Sequence, residues 1–228
     1  MANGVIEYQI DDRVSAFTAP RDSVLPYHVI QAHQVHSDKI ARITSSSYAP
    51  QDLEGVDAIV TDLADVAVGA RTADCIPILL WDPVNRAVAA VHSGWRGTVL
   101  RISGKTLKTM RDSFGTNPAD VKALIGPGIG PLSFQVGEEV CQSFSDAGFD
   151  MSLISRFAGP KVSGNLQTGW HVDLWLANRI VLQDCGVRSG NIQVVGLCTY
   201  ANNTLFYSAR REGPKCGRNI TSIKILPV

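Results

Sequence analysis

Residues 75–97 read CIPILLWDPVNRAVAAVHSGWRG, and the way this stretch divides decides the fold. Two apolar runs, 75–81 (CIPILLW) and 86–92 (RAVAAVH), flank the turn-forming cluster Asp82-Pro83-Val84-Asn85. Short apolar runs bounded by turn residues read as strands. A loop of two or four residues between them makes an antiparallel hairpin. A symmetric turn of either length sets Trp81 opposite Arg86, and therefore Cys75 opposite His92 on one sheet face. Directly opposed residues have Cβ atoms about 4.5–5.5 Å apart, close enough to share one ion.

Upstream of the hairpin, 56–61 (VDAIVT) and 66–71 (VAVGAR) read as further strands. Downstream the period lengthens: Val99, Ile102, Thr106 and Met110 recur at helical spacing beside Leu107 and Phe114, which predicts an amphipathic helix over 98–113. Helices are also expected near 137–147 and 173–185, and strands over 121–126, 192–198, 204–210 and 219–226. Strands dominate the ends and helices interrupt the middle without regular alternation, so the class is α+β rather than doubly wound α/β. No linker, low-complexity tract or fixed-period repeat breaks the chain, and a single domain over 1–228 is expected.

Composition excludes several classes of function. Lys+Arg and Asp+Glu both total 21, and a chain without a basic excess is not a general nucleic-acid binder. No run approaches the roughly 18 apolar residues that span a bilayer, and MANGVIEYQIDDR at the N-terminus does not read as an export signal. The five cysteines (75, 141, 185, 198 and 216) are odd in number and scattered, which fits free thiols in a reducing cytoplasm.

The candidate chemistry gathers around histidine and cysteine. HQVHS supplies His33 and His36, TADC supplies Cys75, and HSGWRG supplies His92. Residues 33 and 36 of an extended segment point to opposite faces, so this segment is expected to give one ligand, His36, with His33 beside it in a substrate role. A thiolate and two imidazoles suit Zn²⁺ and leave its fourth tetrahedral position for water, the pattern of a catalytic site. Two other readings stay open. One is a buried cysteine with two satisfied histidines; the other is a metal-free nucleophilic pair in which His92 activates Cys75.

Two segments suggest anion binding. Ser93-Gly94-Trp95-Arg96-Gly97 places glycines and Arg96 at a helix start, where backbone N–H groups attract anions; an ordinary turn with a surface arginine reads the same way. Near the C-terminus, Ser208, Arg210, Arg211 and Arg218 surround a Gly/Pro turn and could clamp an oxyanion, although a solvated hairpin tip has the same composition. IGPGIGP (125–131) fits neither the Walker nor the dinucleotide pattern and reads as a tight turn.

The segments QVHS (34–37), GVDAIVTD (55–62), TADCIPILLWD (72–82), AAVHSGWRG (89–97), LIGPGIGP (124–131), HVDLWLANRIVLQDCGV (171–187), CTY (198–200) and YSARREGPKCGR (207–218) occur in one order along nearly the whole chain. In them the sequence resembles the YfiH-type laccase-domain family, also called the multicopper polyphenol oxidase-like or purine nucleoside phosphorylase family. The resemblance implies an α+β fold with mixed sheets stacked between flanking helices in α/β/β/α layers. It also brings His36 to Cys75 and His92 as metal ligands, zinc with copper as the alternative. The implied activity is phosphorolysis of adenosine, inosine, guanosine and methylthioadenosine, with deamination of adenosine. Its partners would be purine nucleosides and inorganic phosphate, and no protein partner is implied.

Phosphate would then fall to His33, Arg96, Ser208, Arg210, Arg211 and Arg218, while His33, Asp74 and Asp57 are candidates for the acid/base. The H-x-E…P-C-x-x-C signature of cytidine-type deaminases is absent, so deamination here would use another scaffold. A copper-dependent phenol oxidase and a metal-free Cys–His hydrolase are the rival functions. The sequence departs from the family at Ala209, where an aromatic residue or histidine is usual, and at Cys216, where threonine is usual.

Overall fold

A computed structural model describes residues 4–45, 50–158 and 168–227. Along the chain these form β1 (Ile6–Glu7), β2 (Val14–Ala19), β3 (Ile30–Gln31), β4 (Ile40–Arg42), β5 (Ala58–Thr61), β6 (Ala67–Thr72), β7 (Ile76–Asp82), β8 (Ala87–Ser93), α1 (Trp95–Val99), α2 (Ile102–Phe114), β9 (Lys122–Ile125), β10 (Gln135–Val136), α3 (Glu138–Asp146), α4 (Met151–Ile154), β11 (Ser155–Ala158), β12 (Gly169–Val172), α5 (Leu174–Asp184), β13 (Ile192–Val194), α6 (Ala209–Glu212) and β14 (Asn219–Ile225). The strands make a six-stranded sheet in the order β13-β9-β7-β8-β5-β4, a five-stranded sheet β1-β2-β14-β6-β3, and a small sheet β10-β12-β11. Parallel pairs (β4 with β5, β9 with β13, β3 with β6) sit among antiparallel ones, so the two large sheets are mixed and the fold is α+β.

The β7–β8 hairpin forms, but one residue later than the sequence suggests. Asp82 still belongs to the strand and pairs with Ala87, leaving Pro83–Arg86 as the loop. The cause lies in the Asp82 carboxylate, which is fully buried and accepts the N–H groups of Val84 and Asn85 and the Asn85 side-chain amide. Arg86 closes the loop with a positive φ of 53°. Pro77 therefore pairs with His92. Cys75, two residues before Pro77, keeps the same sheet face and stands diagonal to His92, and the register carried past the Ile76–Ser93 pair sets it across from Gly94.

The sheet faces divide the core. Ile76, Ile78, Leu80, Ala89 and Val91 face the helices and meet Ile102, Leu107 and Met110 of α2 and Leu174, Ala177 and Val181 of α5. Leu79, Trp81, Val88 and Ala90 face the other way, onto Val14 and Ala16 of β2, Val68 of β6, and Ile223 and Ile225 of β14. Burying each Val, Leu, Ile or Met side chain among them contributes roughly 1.5–3 kcal/mol, and the period-2 alternation along β7 and β8 serves both layers at once. The helical stripe falls where expected, except that the chain turns at Arg101 (φ 56°) and splits the predicted helix into α1 and α2.

The outward face of the five-stranded sheet is packed by Val5, Leu25, Val29 and Tyr27, and one expectation is modified. The expected strand at 204–210 is replaced by a turn leading into α6, because the Ser208 and Arg210 N–H groups bond to the Glu212 and Asp74 carboxylates rather than to a neighbouring strand. No helix among the described residues is long and apolar enough to cross a membrane.

Replacing Asp82 with alanine removes the buried acceptor that ends β7. A loss of about 2 kcal/mol in urea unfolding is expected from hydrogen bonds to a charged group; a change within about 0.5 kcal/mol, the range of an ordinary surface substitution, would show that the turn is held by something else.

Candidate metal centre

Asp57 lies immediately before β5 and is only 2% exposed, yet five donors converge on its carboxylate. The N–H groups of Val35, His36 and Ser37 donate at 3.2, 3.0 and 2.7 Å, the Ser37 hydroxyl at 2.8 Å, and His92 Nδ1 at 2.7 Å. Burial alone would push this carboxyl up; the His92 and Ser37 hydrogen bonds outweigh burial and hold it at about 2. The loop wrapped around the carboxylate carries His36 at φ 63°, a left-handed conformation uncommon for a residue with a side chain.

His92 projects from β8 and is 4% exposed. Because Nδ1 is committed to Asp57, Nε2 is the ring nitrogen left for the cavity side, the arrangement by which a carboxylate orients a histidine for metal binding. His36 Nε2 lies 3.6 Å from Cys75 Sγ, and the His36 and His92 rings meet edge to face at 4.8 Å between centroids. One donor atom from each of His36, Cys75 and His92 lies within 4.8 Å of the other two. Tetrahedral zinc with Zn–N of about 2.0–2.1 Å and Zn–S of about 2.3 Å needs donors roughly 3.3–3.6 Å apart, so modest side-chain rotation completes a three-donor site. Burial would raise the Cys75 thiol, but the two imidazoles outweigh it and bring the thiol to about 6. For His92 burial acts downward, and the Cys75 sulfur and Asp57 overcome it, lifting the ring to about 9. Thiolate character is what both a metal ligand and a nucleophile require. The second imidazole beside the sulfur is needed only by the ligand reading.

Gly94 supplies the space for this cluster. A Cβ there would lie 2.9 Å from Cys75 Sγ and 2.9 Å from His36 Cδ2. Its backbone, φ −70° and ψ 177°, is open to any residue, so the requirement for glycine is room and not conformation.

The cluster opens into a cavity of about 630 Å³, which His33, Arg71, Phe134, Ile129, Arg210 and Arg218 also line. His33 turns its Nδ1 to Glu54 and stays apart from the donor cluster. Arg210 donates to the Gln135 carbonyl, and Arg218 wraps the carbonyls of Pro214, Cys216 and Gly217. Arg96 is exposed, stacks on Trp95 and does not line the cavity. Arg211 lies over the Tyr200 ring and bonds its carbonyl, and Ser208 is buried with its hydroxyl unpaired; neither lines the cavity.

Of the two acid/base candidates besides His33, Asp57 lies behind His92, outside the cavity wall. Asp74 lines the wall, but its oxygens accept from Thr199 Oγ1 at 2.7 Å and Arg210 N at 2.6 Å. Both are therefore braces in this arrangement. Sequence reasoning passed over Arg71, whose signal was a charge ending the apolar run VAVGAR directly before TADC, and over Ile129 and Phe134, at and just beyond the glycine-proline turn.

The family described as "Multi-copper polyphenol oxidoreductase laccase" matches residues 13–226. The chain is 42% identical over 210 residues to a protein of Bacteroides thetaiotaomicron named "Purine nucleoside phosphorylase", covering 90% of this chain and 74% of that one. It is 39% identical over 202 residues to "Adenosine deaminase RL5" from an unknown prokaryotic organism, covering 86% and 74%. The crystal structure of YlmD from Geobacillus stearothermophilus superposes with a TM-score of 0.83 at 25% identity, covering 100% of this chain and 98% of that one.

Two substitutions test the cluster separately from catalysis. Gly94→Ala is expected to leave the melting temperature of the metal-free protein within a few degrees of wild type while metal affinity, read by chelator competition, falls at least about tenfold. Asp57→Asn should weaken metal binding by roughly 10- to 100-fold, as removal of a ligand's orienting partner does; wild-type affinity in both variants would refute the assignment of donors.

Proposed function

The chain belongs to the family described as multi-copper polyphenol oxidoreductase laccase, and from that membership we propose that it is a zinc-dependent purine nucleoside enzyme. In this reading it cleaves adenosine, inosine, guanosine and methylthioadenosine with inorganic phosphate, and deaminates adenosine. The observation that carries the reading is one cavity holding a Cys-His₂ donor cluster, an apolar wall and arginines together. Relatives named purine nucleoside phosphorylase and adenosine deaminase support the choice of substrate class.

The residues divide the work. His36 Nε2, Cys75 Sγ and His92 Nε2 would hold the metal, and Asp57 fixes the His92 tautomer that leaves Nε2 free. When bound, zinc supplies a Lewis acid and lowers the pKa of coordinated water toward about 7. Ile129 and Phe134 offer an apolar surface for a purine ring, and Arg210 and Arg218 offer cationic donors for phosphate. Asp74 anchors the backbone of Arg210 and so fixes the cationic wall relative to Cys75, its neighbour in sequence. The five cysteines are all free thiols, which suits a reducing cytoplasm.

A chain of several copper centres finds less support, because of five histidines only His36 and His92 enter a donor cluster among the described residues. A single copper in that cluster is chemically reasonable, and elemental analysis separates it from zinc.

The expected result is about one zinc per chain and release of free base that depends on added phosphate. Cys75→Ala is expected to lose both the metal and turnover. Base release that survives exhaustive chelation and stops on thiol alkylation would overturn the zinc reading in favour of a Cys–His hydrolase; phenol oxidation with copper in the site would favour the oxidase.

A further inference from the structure

Arg71 is the misfit of its strand. Five of the six residues of β6 are buried, and Arg71 alone is exposed, with its side chain on the wall of the cavity that holds His36, Cys75 and His92. Its backbone is held firmly. β3 runs parallel to β6 only as far as the Gln31–Gly69 pair. Beyond that the main chain leaves the sheet, and the Gln34 side-chain amide takes its place. Arg71 N donates to Gln34 Oε1 at 2.8 Å, and Gln34 Nε2 donates to Arg71 O at 2.9 Å. Gln34 stands two residues from His36. One short segment thus aligns the donor cluster and the arginine.

The three arginines on the wall differ in how they are engaged. Arg218 spends both terminal nitrogens on its own loop, and Arg210 spends Nη1 on Gln135. The Arg71 guanidinium has no hydrogen bond or ion pair with any described residue, and the one carboxylate on the wall, Asp74, is taken by Thr199 and Arg210. A guanidinium on a fixed strand, unmatched inside a cavity, keeps all five donors for a ligand and favours a planar, bidentate contact with an oxyanion.

We propose that Arg71 anchors the phosphate that the enzyme consumes, with Arg210 as its partner, and that Arg96 and Arg211 play no part in binding it. This assignment rests on the nucleoside phosphorylase reading for the identity of the anion, orthophosphate. The same guanidinium would accept the 5′-phosphate of a nucleotide, and the test separates the two sources.

Inorganic phosphate is titrated calorimetrically into the zinc-loaded wild type and into Arg71→Gln, Arg71→Lys and Arg96→Gln. Saturable binding is expected in the wild type and in Arg96→Gln. Arg71→Gln should bind roughly 10- to 100-fold more weakly, the range for loss of a charged hydrogen-bond partner, and Arg71→Lys should recover part of the loss. In turnover, Arg71→Gln should raise the phosphate KM by a similar factor with a much smaller change in nucleoside KM. Equal phosphate affinity in wild type and Arg71→Gln, or no binding by the wild type, overturns the assignment. So does tighter binding of adenosine 5′-phosphate than of adenosine that depends on Arg71 while free phosphate binding does not. If phosphate binds through Arg71 but releases no base, the anion site stands and the phosphorylase reading falls.

Discussion

The hydrogen bond from His92 to Asp57 is the contact on which the site depends, because Asp57 serves two structures with one buried carboxylate. On one side it fixes the ring of a histidine carried by a central strand. On the other it gathers three consecutive N–H groups of the loop bearing His36. The loop has no regular secondary structure of its own to satisfy those donors, and hydrogen bonds to a charged group are the stronger kind. Without the carboxylate the loop has no reason to adopt the left-handed turn at His36. The imidazole from the loop and the imidazole from the sheet would then no longer be held to one point. The carboxylate is well below its usual range only because it collects so many donors. Its charge and the position of both imidazoles are one arrangement.

Much of this was legible in the sequence, for reasons specific to each element. The alternation of β7 and β8 named the strands, and the 3.6-residue spacing named α2, because in both cases burial on a defined face imposes the period. The hairpin offset was not legible. Whether Asp82 ends the strand or opens the turn depends on where its carboxylate finds donors, and composition does not state that. The error moved the register by two residues, and because the period of a strand is two, Cys75 and His92 stayed on one face. A slip of one would have separated them. The same offset explains Gly94, which the opposed-pair picture left without a role: it stands across from Cys75 and is absent as a side chain so that the cluster has volume.

The arginines show the opposite case. Four were singled out by their neighbourhood to glycines and prolines, and composition could not say which way each side chain leaves the backbone. Arg96 and Arg211 each found an aromatic face, Trp95 and Tyr200, and these contacts hold them off the cavity. Arg210 and Arg218 reach it but spend donors on backbone carbonyls. Arg71 was hidden because a strand residue attracts notice through its alternation, and β6 is buried on both faces. A charge in such a strand has only one place to go that is wet, and here that place is the cavity.

The two large sheets thus contribute different things to one site. The six-stranded sheet brings His92, and Cys75 precedes its strand β7; the five-stranded sheet brings Arg71 through β6. The chain passes from β6 to β7 through only Ala73, Asp74 and Cys75, so the turn that joins the sheets is part of the site. Asp74 takes φ 87° in that turn, a conformation that costs a non-glycine residue on the order of 1–3 kcal/mol. The surrounding contacts offset it: Thr199 and the Arg210 backbone bind its carboxylate, and behind them the apolar residues of both sheets interlock. His36 is strained in the same sense and is held by Asp57. One strained residue belongs to the donor cluster and the other adjoins Cys75 in sequence, and each is secured by a carboxylate: Asp57 through the N–H groups of the His36 loop, Asp74 through the Thr199 hydroxyl and the Arg210 N–H. It follows that the packing between the sheets, far from the cavity, sets the distance between the donor cluster and the guanidinium. A cavity cut into that interface, for instance at Trp81 or Ile223, should act on the site by letting the two sheets shift, without touching any group that lines it.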